Sequence, residues 1–337
     1  MRLLINLFQL TVFAAAFALA SPALASPVDF GMAELNAAIA ARNFKYAPKI
    51  QAELDIQAPE TFRIEPYAAG GGHITGGDLR GLMYGLLEAA EQMRATGRLK
   101  QTHGAPALAL RGIRVAAEPE APWFTSGEFW QRYFAGMARD RFNRLEVTFH
   151  SVPGPDAIPA LRSIAQAAMQ YGVDLAIGLD ATDPILIQQL LAVCPSVRTI
   201  VLHREAFRGD AMLDAMALFR VLHDAGRRVV LELPNSDSTA GLVEEASNGG
   251  APFRLFSRFT GVASNPQPRD WYWEVDPTQD ADAVNAISGA GFEITAPLVR
   301  PLNGEQREPE LDSIADWGRA GYNRPLPHEA PPAPAPK

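Results

Sequence analysis

The sequence predicts an α/β chain in which a small N-terminal α/β sandwich precedes a compact (β/α)8 barrel of the TIM type. Three observations carry this reading. Residues 109–150 run strand, amphipathic helix, strand. Later segments repeat that unit almost to the end of the chain and bring the strands to eight. Residues 27–107 follow another pattern.

In the founding unit the first strand holds Leu110, Gly112, Ile113 and Val115, and the second runs from Leu145 to Phe149. The helix between them opens on Thr125-Ser126-Gly127-Glu128. This is a capping-box order, in which the Thr hydroxyl and the Glu carboxylate satisfy first-turn N–H groups. Trp130, Tyr133, Phe134, Met137 and Arg141 then recur at helical spacing, one apolar face with a basic end. A strand–helix–strand crossover demands a parallel sheet covered by helices.

Further strands are predicted at Val173–Leu179, Val197–Leu202, Arg228–Leu233, Arg254–Phe259, Trp271–Val275 and Phe292–Ala296. Helical patterns fall near 157–171, 184–193, 208–225, 238–248, 279–289 and 309–319. Residues 260–270 carry too much Pro and Gly for a helix. The barrel spans 108–322. An open doubly wound sheet is the alternative, but no phosphate-binding turn marks its first crossover.

Before the barrel, Ala33–Arg42 reads as a short helix and Thr61–Glu65 as a strand exposed on one side. Gly70-Gly71-Gly72 reads as a turn, and His73-Ile74-Thr75 leads to Gly76-Gly77-Asp78. Asp78 suits the N-cap of a helix whose face is Leu79, Leu82, Met83, Leu86, Ala90 and Met93. Gly77, Gly81 and Gly85, four apart, let that helix approach a sheet closely. Neither a Walker pattern nor a dinucleotide fingerprint is present, which speaks against a phosphate site at this turn.

At the start of the chain, Arg2, an apolar run from Leu3 to Leu19 and Ala23-Leu24-Ala25 have the layout of a secretory signal peptide over residues 1–25. Asn6, Gln9 and Ser21-Pro22 interrupt or end the run, so a retained membrane anchor is the weaker reading. A secreted or periplasmic protein is expected. Residues 323–337 are rich in Pro and Ala and are read as a disordered tail. A net charge of −8 argues against nucleic acid or an anionic membrane surface as partner. Cys194 is the one cysteine, which excludes an intramolecular disulfide and a redox pair, and its apolar setting suggests a buried small hydrophobe.

The run from Ile74 to Glu88, containing Gly81-Leu82-Met83-Tyr84-Gly85-Leu86, resembles the accessory domain in front of the catalytic barrel of bacterial β-hexosaminidases and α-glucuronidases. Leu110-Arg111-Gly112-Ile113-Arg114 is similar to the start of their first barrel strand. Met137-Ala138-Arg139-Asp140-Arg141-Phe142-Asn143-Arg144-Leu145 is similar to their first helix and second strand. The resemblance covers about residues 60–150 and includes no catalytic residue. It implies residues 27–107 as the accessory domain and a glycosidase activity for the barrel.

In such a barrel, function lies just past the carboxyl ends of the strands. Those positions hold Glu118, Glu120, His150, Asp180, Asp183, His203, Arg204, Glu205, Glu232, Asn235, Arg258, Trp271, Trp273, Glu274 and Asp276. Acids, His, Arg and Trp together suit sugar chemistry, with two carboxylates flanking a glycosidic bond and aromatic faces against the ring. Glu205 follows the fourth strand, where the resemblance implies a general-acid glutamate; the bland reading is a solvated Glu paired with Arg204 or Arg208. The β-hexosaminidases place an Asp immediately before that Glu. Here Arg204 stands instead, and a guanidinium can bind a carboxylate bidentately, which turns the expectation toward uronic-acid sugars. Glu274 is the expected second carboxylate and Asp276 the next candidate; an ion pair with Arg254 or Arg258 is the bland reading of Glu274. Asn265 stands where the resemblance to α-glucuronidases implies a catalytic Asp.

His150, His203, Trp271, Trp273, Arg258, Arg204 and Asn265 are the expected substrate-binding residues. No His-x-x-x-His pattern or acidic cluster has metal spacing, and no Gly-x-Ser-x-Gly elbow is present. Neither a metal nor another cofactor is expected. The expectation is thus a secreted glycoside hydrolase acting on poly- or oligosaccharide. The alternative is a catalytically degenerate barrel that binds carbohydrate, favoured by Arg204 and Asn265.

Overall fold

A computed structural model describes residues 26–55, 57–68, 70–180, 183–203, 217–218, 230–235, 244, 253–258, 271–276, 278–279, 281–287, 289–295, 299–301, 307–309 and 311–323. The expected signal peptide, the tail beyond Asn323, the helices at 208–225 and 238–248 apart from three residues, and the 260–270 connection lie outside them. The chain divides into two compact units between Ala105 and Pro106.

The N-terminal unit is a four-stranded sheet of order β1-β3-β2-β4 with two helices. Its strands are β1 (Lys49–Leu54), β2 (Phe62–Pro66), β3 (Gly71–Gly76) and β4 (Thr102–Gly104). β1 pairs with β3 in parallel, and β2 pairs antiparallel with both β3 and β4. Helix α1 (Pro27–Ala40) begins six residues before the predicted start, because Ser26 caps it and Pro27 fits its first turn. Helix α2 (Leu79–Thr96) is capped as expected: the Asp78 carboxylate accepts from Gly81 N at 2.6 Å and from Glu60 N at 3.1 Å. Leu79 lies at the exposed edge of its face, while Leu82, Met83, Leu86, Ala90 and Met93 are buried.

The small residues of α2 do what their spacing implied. A Cβ on Gly81 would stand 2.3 Å from the Thr61 carbonyl oxygen, and one on Gly85 2.9 Å from Ile74. Three strands differ from expectation, among them the three-residue β4, which was not anticipated. β1 was not anticipated, because it is an edge strand with mostly exposed side chains and so carries no clear alternation. The glycine run read as a turn instead opens β3, where a Cβ on Gly71 would meet the Lys49 carbonyl oxygen at 2.1 Å. Only a bare backbone, here at φ +82°, fits beside β1.

The second unit is a closed barrel of eight parallel strands, which excludes the open-sheet alternative. They are β5 (Leu110–Ala116), β6 (Arg144–Phe149), β7 (Asp174–Leu179), β8 (Thr199–Leu202), β9 (Val230–Pro234), β10 (Phe253–Arg258), β11 (Trp271–Val275) and β12 (Gly291–Thr295). Each pairs with the next, and β12 closes on β5 through Gly291–Leu110 to Thr295–Arg114. A short antiparallel pair, β13 (Val299–Pro301) with β14 (Arg307–Pro309), follows.

On the outside, a short helix α3 (Pro122–Thr125) precedes α4 (Gly127–Arg139). The cap of α4 is Ser126, whose Oγ accepts from Phe129 N; Thr125 ends α3 and its hydroxyl donates to the Pro122 carbonyl. The expected Thr–Glu capping box is therefore not formed: the cap lies one residue on, which puts Phe129 rather than Glu128 at the third helical position. Trp123, Phe124, Phe129, Trp130, Tyr133 and Phe134 pack edge to face or stacked, with centroids 5.3–6.4 Å apart. Each such pair contributes about 0.5–1.5 kcal/mol beyond its buried area.

Helices α5 (Ile158–Gln170) and α6 (Pro184–Val193) lie where predicted. The predicted helix at 279–289 is only a six-residue 3-10 segment, Ala281–Ala286, and the last helix, α7 (Ala315–Asn323), starts later than its pattern suggested. Trp317 of α7 packs on Phe292 at 5.4 Å. Arg111, fully buried, ties the start of β5 to the Leu108 and Arg141 carbonyls and lies over the Tyr322 ring. Cys194 is buried, and burial raises its thiol pKa.

Candidate active site

In a strand, alternate side chains share a face. Inside this barrel that rule collects charges. β6 turns Arg144, Glu146 and Thr148 inward, β9 Glu232, β11 Tyr272 and Glu274, and β12 Glu293. All but Arg144, which follows Asn143, sit between apolar residues that face the helices, as in Leu231-Glu232-Leu233 and Phe292-Glu293-Ile294. Leu110, Ala176, Val201, Phe256, Tyr272 and Ala290 form a buried cluster.

Arg144 anchors the interior. Its Nη1 and Nη2 donate to Glu232 Oε1 and Oε2 at 2.7 and 2.6 Å, a two-pronged contact. Arg254 adds a third donor to Glu232 at 3.2 Å, and Arg144 Nε stands 3.3 Å from Glu293. The guanidinium also lies over the Tyr272 ring at 5.4 Å.

Above this pair sits a second group. His203 Nε2 hydrogen-bonds Glu146 Oε1 at 2.7 Å, and the Thr148 hydroxyl donates to the same oxygen at 2.8 Å. Burial opposes charge on both His203 and Glu146. Their mutual attraction outweighs it, raising the histidine pKa and holding the Glu146 carboxyl far below the carboxylate range. Glu293 goes the other way: burial, with the negative charge of Glu146 and Glu232, pushes its carboxyl well up despite Arg144. Glu293 is thus biased toward its neutral form in the dry interior, beside Arg144.

At the carboxyl ends of the strands the barrel opens into a cavity of about 600 Å³. Glu274 and Arg114 line it, with Arg114 Nη1 hydrogen-bonded to Glu274 Oε1 and its Nη2 donating to Thr295 Oγ1 at 2.7 Å. His203 Nδ1 faces Glu274 Oε1 at 3.9 Å. Asp180, Asn235, Arg258 and the Phe256 ring complete the wall.

The expected residues separate accordingly. Glu274, His203 and Arg258 meet at the cavity; Glu274 pairs with Arg114 rather than with Arg254 or Arg258. His150 is 91% exposed and bonds Asp180 at 2.6 Å from outside the lining. Asp276 is half-exposed, accepts from Thr278 N at 3.0 Å and lies 3.9 Å from Arg258; the Thr278 hydrogen bonds lower its pKa. Trp271 and Trp273 alternate with Tyr272 and Glu274, so they point away from the interior, and neither lines the cavity. Arg204, Glu205 and Asn265 lie outside the described residues. Sequence reasoning missed Arg114, Glu146, Thr148, Glu293 and Thr295. Charged residues two apart within apolar strands, as in Arg144-Leu145-Glu146, were the available signal. Among the described residues no His, Cys, Asp and Glu group has the arrangement to hold a metal ion.

No protein-family model matches the chain. No curated protein matches it either. Solved structures do. The chain is similar to a GH138 enzyme targeting pectin rhamnogalacturonan II, with TM-score 0.65 and 13% identity over 89% of this chain and 50% of that one. It is similar to a glycoside hydrolase family 20 β-N-acetylglucosaminidase, with TM-score 0.57 and 14% identity over 87% and 86% of the two chains. A third is a family GH115 4-O-methyl-α-glucuronidase with specificity for decorated arabinogalactans, with TM-score 0.54 and 12% identity over 79% and 48%. The chain spans about half the length of the first and third. What it shares with them at such identity is the fold, an α/β chain with a (β/α)8 barrel that in all three belongs to a glycoside hydrolase.

Proposed function

We propose that this chain is a secreted glycoside hydrolase acting on poly- or oligosaccharide. One observation carries the reading: a cavity at the carboxyl ends of a closed barrel presents a carboxylate, Glu274, framed by Arg114 and His203. That face is where barrels of this kind place their chemistry. Arg114 fixes the Glu274 side chain, so that it meets a bound sugar or water without first losing rotamer freedom.

In this reading Glu274 is the base or nucleophile, and Glu205, just past β8, protonates the leaving oxygen. Asn235 and Asp180 offer partners to sugar hydroxyls. Arg258 and Arg204 are cations for a sugar carboxylate, which favours substrates bearing uronic acid. The signal-peptide layout of residues 1–25 supports export.

A second reading has its own support. Glu274 is already engaged by the Arg114 guanidinium, which occupies one of its oxygens. A barrel that binds carbohydrate without cleaving it fits that pairing. The deciding experiment sets a panel of aryl glycosides and glucuronides against the wild-type protein, with calorimetry alongside. Hydrolysis supports the enzyme, and binding without hydrolysis supports the second reading.

A further inference from the structure

We propose that Glu146 is a positioning residue for His203, holding its ring so that Nδ1–H is presented to the cavity as a donor for a hydroxyl oxygen of a sugar bound beside Glu274. The inference rests on the carbohydrate reading of the cavity. It concerns a residue that lies beneath the cavity and touches no ligand.

Geometry carries it. The Nε2 side of the ring is occupied by Glu146 Oε1 at 2.7 Å. The Nδ1 side lines the cavity, and among the described residues it has no hydrogen-bond acceptor, since Glu274 at 3.9 Å is beyond that range. A charged imidazole is a donor at both nitrogens. One proton is used to fix the ring and the other is left for what enters.

The chain also leaves space for the arrangement. Gly178 of β7 lies against the cluster: a Cβ there would be 2.1 Å from Glu146 Oε1, 2.8 Å from His203 Nε2 and 2.9 Å from Thr148 Oγ1. Strands β6, β7 and the end of β8 thus build the cluster jointly. Thr148 bonds the same carboxylate oxygen and fixes it from the second side. The Phe256 ring stands edge-on to the imidazole at 6.0 Å, limiting its tilt.

Three charged groups face His203. Glu146 and Glu274 favour its protonated form, and Arg114 opposes it. Asp180 and Arg258 line the same cavity at its wall. Removing the Glu146 charge leaves Glu274 alone against Arg114 and against burial. The ring then loses its proton at lower pH and is no longer held from behind.

The test is a nitrogen-15 NMR titration of the full chain, following the His203 ring signals in wild type and in Glu146→Gln. The wild-type ring is expected to show two protonated nitrogens at neutral pH. In Glu146→Gln the midpoint should fall by about one pH unit or more, the scale of losing an adjacent opposite charge. Glu146→Asp, which keeps the carboxylate, should restore most of the shift. A neutral wild-type ring at pH 7, or identical midpoints in wild type and Glu146→Gln, would overturn the inference.

Should Glu146→Gln fail to fold, the wild-type ring signals alone still decide whether the ring is charged. With the aryl glycoside that the wild type hydrolyses best, Glu146→Gln should raise KM about tenfold and change kcat less, the pattern of a lost binding donor. An unchanged KM would also count against it. If no glycoside is hydrolysed, the enzyme reading fails while the titration still tests the positioning of His203.

Discussion

Arg144 and Glu232 meet prong to prong inside the barrel, at 2.7 and 2.6 Å, from strands β6 and β9, which are three places apart around the closed sheet. Both are buried. A contact that crosses the lumen in this way fixes the cross-section of the barrel as apolar packing alone would not, because the fork accepts a single geometry.

Removing one partner leaves the other charged and dry. Arg144→Met, close in volume, should therefore destabilise the protein by about 3–5 kcal/mol, the scale for a broken buried pair. Replacing Arg144 and Glu232 together by Met and Leu should cost much less. Urea unfolding of the three proteins measures this, and additive losses would show that the pair is not coupled.

Stability should peak in mildly acidic solution. Glu146, whose folded pKa is depressed, contributes stability above its ordinary value of 4.5 that is lost as pH falls. Glu293 and His203, raised from ordinary values of 4.5 and 6.5, contribute stability at low pH that is lost as pH rises through their folded values. Melting temperatures from pH 4 to 9 should fall on both sides of about pH 5–6, a window set by these ordinary values. Glu293→Gln, which mimics the protonated acid, should flatten the alkaline side. A higher melting temperature at pH 8.5 than at pH 5.5 would contradict this assignment.

Gly81→Ala sets two effects against each other. Helix propensity favours Ala by about 1 kcal/mol. The new Cβ, however, would lie 2.3 Å from the Thr61 backbone oxygen, which cannot swing aside as a side chain can. The clash should win, with a net loss of about 1–3 kcal/mol. Thermal unfolding checks the sign.

Much of this architecture was legible because periodicity and topology reinforce each other. Strand–helix alternation from Leu110 onward determined eight strands, and their ends fell within one or two residues of expectation for β7 to β12. The glycine spacing of α2 was readable because a helix puts every fourth residue on one side. Where the chain departs from a clear period, reading failed. β1 is half-exposed, and Gly71-Gly72 carries no side chain to alternate.

The site was less legible. Glu274 and His203 could be placed by counting to strand ends. Arg114, Glu146 and Glu293 could not, since a lone sequence does not say whether a charged residue in an apolar strand faces lumen or solvent. Trp271 and Trp273 stand out as aromatics, yet alternation with Glu274 turns them toward the helices. Phe256 lines this cavity instead, and its ring is almost wholly buried against His203 and Tyr272.

Whether this cavity is where chemistry happens is decided by the rate of sugar release by wild type and Glu274→Gln, on whichever glycoside or glucuronide the wild type cleaves. The substitution keeps the side chain's shape and its hydrogen bond from Arg114 but removes its charge. Loss of a general base or nucleophile should lower kcat at least a hundredfold while ligand binding by calorimetry persists. Undiminished hydrolysis by Glu274→Gln would contradict the assignment of the cavity as the site of chemistry.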